Sequence, residues 1–147
     1  MALKITGSLD DNDLLFLPWS TPLEEWPEEY VVALPRGISR HVVRFTRIGD
    51  KVYAVKEIST QLAVHEHDML GRLRKLGVPC VKAVGIVRNR EDEAGEPLDS
   101  VLITRHLPYS LPYRALFSGQ LRDDTVTRLV DALVLLIVRL HLVGFAW

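Results

Sequence analysis

The sequence predicts an α+β fold, with one helix set among five short strands and two further helices behind them. Three observations lead to this expectation. Five short segments rich in Val, Ile, Leu and Tyr are bounded by Gly, Pro and charged residues, as strands are. One stretch from Thr60 to Leu76 instead repeats apolar residues at three- and four-residue spacing, the period of an amphipathic helix. A long, nearly all-apolar stretch begins at Leu129, after a connection containing Pro108 and Pro112.

Residues 1–28 read as an irregular lead-in. They mix the acidic run Asp10 to Asp13 with Leu14-Leu15-Phe16-Leu17 and two Pro-flanked tryptophans, Trp19 and Trp26, through which the segment is expected to pack. Tyr30 to Leu34 reads as the first strand and Pro35 to Ser39 as a turn. His41 to Arg47 is the second strand, and Ile48-Gly49-Asp50-Lys51 the hairpin connection to the third, Val52 to Ile58. Ser59 or Thr60 can cap the helix, which runs through Leu62, Met69, Leu70, Leu73 and Leu76 and stops at Gly77 and Pro79. Strand character returns from Val81 to Val87. Asn89 to Pro97 reads as a solvated acidic loop, followed by the strand Val101 to Thr104. A short helix near Tyr113 to Phe117 precedes a long one starting near Asp123, where Asp123 and Asp124 suit the positive end of the helix dipole. No internal repeat or low-complexity tract interrupts this order.

Composition narrows the possible functions. At 147 residues the chain fits one domain. A formal charge of -1 offers no basic excess for nucleic acid. The lone Cys80 excludes an internal disulfide framework and suits a reducing compartment. Met1 to Gly7 lacks the apolar stretch of a secretory signal, so a cytoplasmic location is expected. Asp131, Arg139 and His141 interrupt the run from Leu129 to Trp147, which reads as a buried helix and not a membrane span.

The chemistry centres on the third strand and the helix. Side chains alternate along a strand, so Ala54 and Lys56 share one face and leave a gap with a cation at its edge. Glu66 falls inside the apolar stripe of the helix, four residues after Leu62 and three before Met69. An unpaired carboxylate is costly there, and Lys56 is its natural partner. Other candidates are weaker. His65 and His67 flank Glu66 but project to different faces, so they cannot chelate one ion. Cys80 has no neighbouring base and reads as a small core residue. No Gly-x-Ser-x-Gly elbow or Walker loop is present.

Ala54-Val55-Lys56 followed by Glu66, with apolar residues three, four and seven positions later, resembles the protein-kinase-like fold, in which a strand lysine holds nucleotide phosphates and a helix glutamate orients it. The strand Val101 to Thr104 with Arg105-His106-Leu107 is similar to the last small-lobe strand and hinge. Leu140-His141 with Gly144-Phe145 resembles the end of the helix that leads into the catalytic loop. Gly77-Val78-Pro79 and the stretch from Pro108 to Pro112 resemble the bacterial lipopolysaccharide-kinase (Kdo/heptose kinase) group more than the eukaryotic protein kinases.

The resemblance implies a five-stranded antiparallel sheet with one packed helix, the small lobe, over 29–107. Over 108–147 it implies the start of a truncated large lobe with two helices. It further implies ATP with Mg as the cofactor. Lys56 and Glu66 would be the catalytic pair, with Gly37 and Ser39 near the phosphates and Ala54, Thr104, His106 and Leu107 around the adenine. One departure is the phosphate loop, where Gly37 stands in place of several glycines. Another is that the catalytic-loop aspartate and the metal ligands of such enzymes would follow Trp147, so this chain alone is expected to be inactive. The helix over 123–143, apolar nearly all round, is expected to be covered by the remaining large lobe or by a protein partner. The rival expectation is a non-catalytic, pseudokinase-like interaction module in which the Lys56–Glu66 pair is structural. A third is an unrelated α+β domain.

Overall fold

A computed structural model describes residues 2–7, 11–34, 39–110 and 116–145. Its fold is α+β, with a five-stranded antiparallel sheet and one helix packed against it. The strands are β1 (Lys4–Thr6), β2 (Val43–Ile48), β3 (Lys51–Ile58), β4 (Ala83–Arg88) and, after a small separate hairpin of β5 (Arg90–Glu91) and β6 (Pro97–Leu98), β7 (Ser100–Arg105). Their order across the sheet is β1-β4-β7-β3-β2, and every neighbouring pair is antiparallel. Helix α1 (Thr60–Lys75) lies on one face, and helix α2 (Asp123–Leu142) follows the sheet.

The two faces differ because side chains alternate along each strand. Tyr53 and Val55 of β3 and Val101 and Ile103 of β7 point to the face away from α1. There they pack on Leu14, Trp19, Leu23 and Trp26, all buried. On the α1 face Ile58, Ile86 and Leu102 pack on Ala63 and Val64. A bulge between Ala83 and Gly85 inserts one extra residue in β4. It reverses the alternation, so Val84 and Val87 face the tryptophans while Ile86 faces α1.

Residues 11–31 therefore cover the outer face of the sheet, through three 3-10 turns at Asn12–Phe16, Leu23–Glu25 and Glu28–Tyr30. The aromatics hold this layer as expected, and Trp19 and Trp26 meet edge-on at 5.3 Å. Three expectations change. The edge strand comes from Lys4–Thr6, inside the stretch read as a lead-in. Tyr30 to Leu34 is not a strand: Tyr30 closes a 3-10 turn, and Val32 N–H donates to the Phe45 carbonyl at 2.8 Å beside β2. The stretch from Asn89 to Pro97 is also more than a solvated loop. It forms the β5–β6 hairpin, tightened by Asp92 Oδ1 accepting from the Ala94 and Glu96 amides, and it buries Arg90.

Ser59 caps α1 by accepting the Leu62 amide. At the other end Gly77 takes φ +70°, its N–H donates to the Arg74 carbonyl, and Val78 N–H donates to the Leu73 carbonyl at 3.0 Å. This is the left-handed glycine cap, completed by burial of both Leu73 and Val78. The short helix expected near Tyr113 to Phe117 lies mainly outside the described residues, and 116–117 are helical. Among the described residues of α2 none is buried, and Leu135 and Leu142 are 61% and 80% exposed. Just past its end, Phe145 lies under the Arg72 guanidinium of α1, 5.3 Å from ring centre to Cζ. No helix of the described residues is long and apolar enough to cross a membrane.

Candidate functional site

Strand register builds the floor of a cavity. In an antiparallel pair, residues directly opposite each other point to the same face. Lys56 stands opposite Val43 on one side and Leu102 on the other, and Ala54 stands opposite Thr104. These five side chains share the α1 face. Glu66, Met69 and Leu70 of α1 and Val81 before β4 close the remaining walls, enclosing about 240 Å³. The walls are almost wholly apolar apart from Thr104 and the charged pair.

Lys56 Nζ donates to Glu66 Oε1 at 2.7 Å, with the two side chains 26% and 30% exposed. At that exposure the pair is partly desolvated and still reached by water, so the ammonium keeps hydrogens free for a second acceptor. Lys56 carries three N–H bonds, and Glu66 occupies one. The arrangement can thus place a cation at the mouth of an apolar slot, with the small Ala54 side chain leaving room beside it.

The remaining sequence-derived candidates scatter. Gly37 lies outside the described residues. Ser39 is exposed and its hydroxyl accepts from the His41 amide at 3.1 Å, away from the cavity walls. His106 donates its own amide to the Val52 carbonyl at 2.9 Å and sets its ring edge-on to Phe45, 5.1 Å between centres. That amide is spent on the sheet and cannot meet an adenine edge. Leu107 is 48% exposed and does not line the cavity, and its N–H makes no backbone hydrogen bond among the described residues.

Sequence reasoning missed Val43, Val81 and Leu102. The period-two alternation was legible for each strand alone, but which residue opposes Lys56 depends on register. Among the described residues no three His, Cys, Asp or Glu side chains gather to hold a metal. Cys80 is half-buried, its Sγ directed at the Leu70 carbonyl. Burial pushes its thiol up from the ordinary value, with the Arg74 charge pulling the other way, which makes it a poor nucleophile. A second, more open cavity of about 470 Å³ lies between His65, Asp68, Met69 and Arg72 of α1 and Gly144 and Phe145.

Family models, curated proteins and solved structures were compared with the chain, and none matched.

Proposed function

We propose that this chain is the nucleotide-binding half of a kinase-like phosphotransferase, with ATP as the ligand of the Lys56 cavity. The observation that supports this reading is the 2.7 Å Lys56–Glu66 pair at the edge of an apolar slot floored by Ala54 and Thr104. A flat apolar base fits such walls, and a lysine held by a carboxylate is a suitable partner for phosphate oxygens. When bound, ATP supplies the transferable phosphoryl group. The chain's part is to bind and orient it, with Lys56 on the phosphates and Glu66 fixing Lys56. Of the adenine contacts expected from the hinge, the Leu107 amide makes no backbone hydrogen bond among the described residues, while the His106 amide is bonded to Val52. The proton-accepting aspartate and the metal ligands belong, on this reading, to a large lobe packed around α2, and the location is the cytoplasm, where ATP is supplied. The lipopolysaccharide-kinase type of acceptor is part of the same proposal.

A second reading, a non-catalytic interaction module with a structural Lys56–Glu66 pair, is favoured by the exposed apolar length of α2.

Thermal unfolding with and without ATP, run with and without Mg, separates the two. At a nucleotide concentration 100 times Kd, binding stabilises the native state by about 2.7 kcal/mol, and Lys56→Ala should lose most of that gain while remaining folded. An unfolding temperature unmoved by nucleotide in the unaltered chain would favour the interaction module.

A further inference from the structure

On the face of the sheet opposite the cavity, the stretch from Trp19 to Glu24 is fastened to three strands. Arg90, 1% exposed, donates through Nε to the Trp19 carbonyl at 2.8 Å and through Nη2 to the Thr21 carbonyl at 2.7 Å. Its Nη1 donates to the Asp99 carbonyl at 2.6 Å and to Glu57 Oε1. The other carboxylate oxygen of Glu57 accepts the Leu23 amide at 3.3 Å. Arg44 donates to the Leu23 and Glu24 carbonyls at 3.2 and 3.3 Å. The strap is thus held by Arg44 of β2, Glu57 of β3 and Arg90 of β5.

Two of these holders are chain neighbours of cavity residues. Glu57 follows Lys56 and Arg44 follows Val43, and Lys56 and Val43 stand opposite each other. Alternation puts the holders on one face of the sheet and the cavity residues on the other, through the same two strands. β2 is an edge strand, paired in the ladder with β3 among the described residues, so the strap adds a hold on it beyond that ladder. A buried guanidinium with four acceptors cannot shift without leaving a charge and several carbonyls uncompensated. The strap is therefore either fastened or released, with little between.

We propose that the strap Trp19 to Glu24 is a positioning element for Lys56, with Arg44, Glu57 and Arg90 as positioning residues. Fastened, it holds β2 and β3 at the twist that brings Lys56 to Glu66. Released, it loosens that pair. Only the identity of the ligand rests on the nucleotide reading above; the coupling of strap to lysine stands apart from it.

The test measures the rate at which Lys56 is acylated by an amine-reactive ester, read by peptide mass spectrometry in the unaltered chain, Glu57→Gln and Arg44→Ala. Lys75, on the exposed end of α1, serves as the internal control. Coupling through packed networks corresponds to about 2- to 30-fold, so Lys56 should label faster by a factor in that range while Lys75 and the far-ultraviolet circular dichroism stay unchanged. On the nucleotide reading the same loosening of Lys56 should weaken the Kd for Mg-ATP in both variants, by a factor within the same range. Should Glu57→Gln fail to fold, Arg44→Ala decides, since Arg44 is only partly buried. Unchanged Lys56 labelling in a folded variant overturns the strap. Faster labelling in a chain that binds no nucleotide upholds the strap and removes the nucleotide reading.

Discussion

Arg90 sits in a stretch of chain dense with charge and still ends 1% exposed, because four acceptors meet it. They are the carbonyls of Trp19, Thr21 and Asp99 and one oxygen of the Glu57 carboxylate, whose other oxygen accepts the Leu23 amide. A buried cation is tolerated only when paired and hydrogen-bonded. Its removal leaves Glu57, 13% exposed, as an uncompensated charge. Arg90→Ala should therefore lower unfolding free energy by about 3–5 kcal/mol, the cost of breaking a buried pair from one side. Urea unfolding followed by tryptophan fluorescence measures it, since Trp19 and Trp26 lie in the layer that Arg90 holds. A loss under about 1 kcal/mol, the size seen for surface ion pairs, would show that water reaches this network.

Among the elements, β1 has only three residues and depends on one glycine. Lys4, Ile5 and Thr6 pair with Arg88, Val87 and Ile86. The chain then turns at Gly7, with φ +130°, directly against the bulge in β4. A Cβ at Gly7 would stand 2.5 Å from the Val84 carbonyl oxygen and 2.6 Å from Gly85 Cα. Both are backbone atoms in a bulge that also sets which way Val84 and Ile86 face, so neither can give way cheaply. Gly7→Ala should detach β1 at a cost of about 1–3 kcal/mol, the range for a residue forced into a disfavoured backbone region. Amide exchange at Ile5 and Val87 should rise together in that variant, while exchange within α1 stays the same. Equal protection in both chains would mean that the bulge accommodates the methyl group.

For the molecule as a whole, the sheet with its two covered faces is a closed unit, and α2 is not part of it. Val130, Leu133, Val134, Ile137 and Val138 are each between 42% and 51% exposed. Apolar surface of this length on one helix is not left in water by a stable monomer. With no further lobe packed around α2, the chain should associate at micromolar concentration, seen as growth of mass in light scattering on concentration. Leu133→Glu combined with Ile137→Glu should reverse that growth and leave the sheet intact. A monodisperse monomer at high concentration would overturn this expectation.

The sequence by itself determined the features that depend on neighbours along the chain. Ser59, the apolar spacing from Leu62 to Leu76 and the Gly77 exit define α1. Alternation places Ala54 and Lys56 on one face, and a carboxylate in an apolar stripe requires a partner, so the meeting of Lys56 with Glu66, ten residues on, was legible. Tertiary structure alone decided the contacts between distant segments. Arg90 finds the Trp19 carbonyl 71 positions away, and Arg88 meets Thr6 across 82. No local pattern records such pairings, because each partner taken singly reads as an ordinary polar group. Tyr30 to Leu34 shows the converse. Its composition suits a strand, but it lies beside β2 with the Val32 amide bonded to Phe45, and the edge strand of the sheet is taken instead by Lys4–Thr6. Strand propensity says only that a segment fits a pleated surface, while the choice of neighbour is made by packing. For the same reason the alternation identified Lys56, and only the register supplied Val43 and Leu102 beside it.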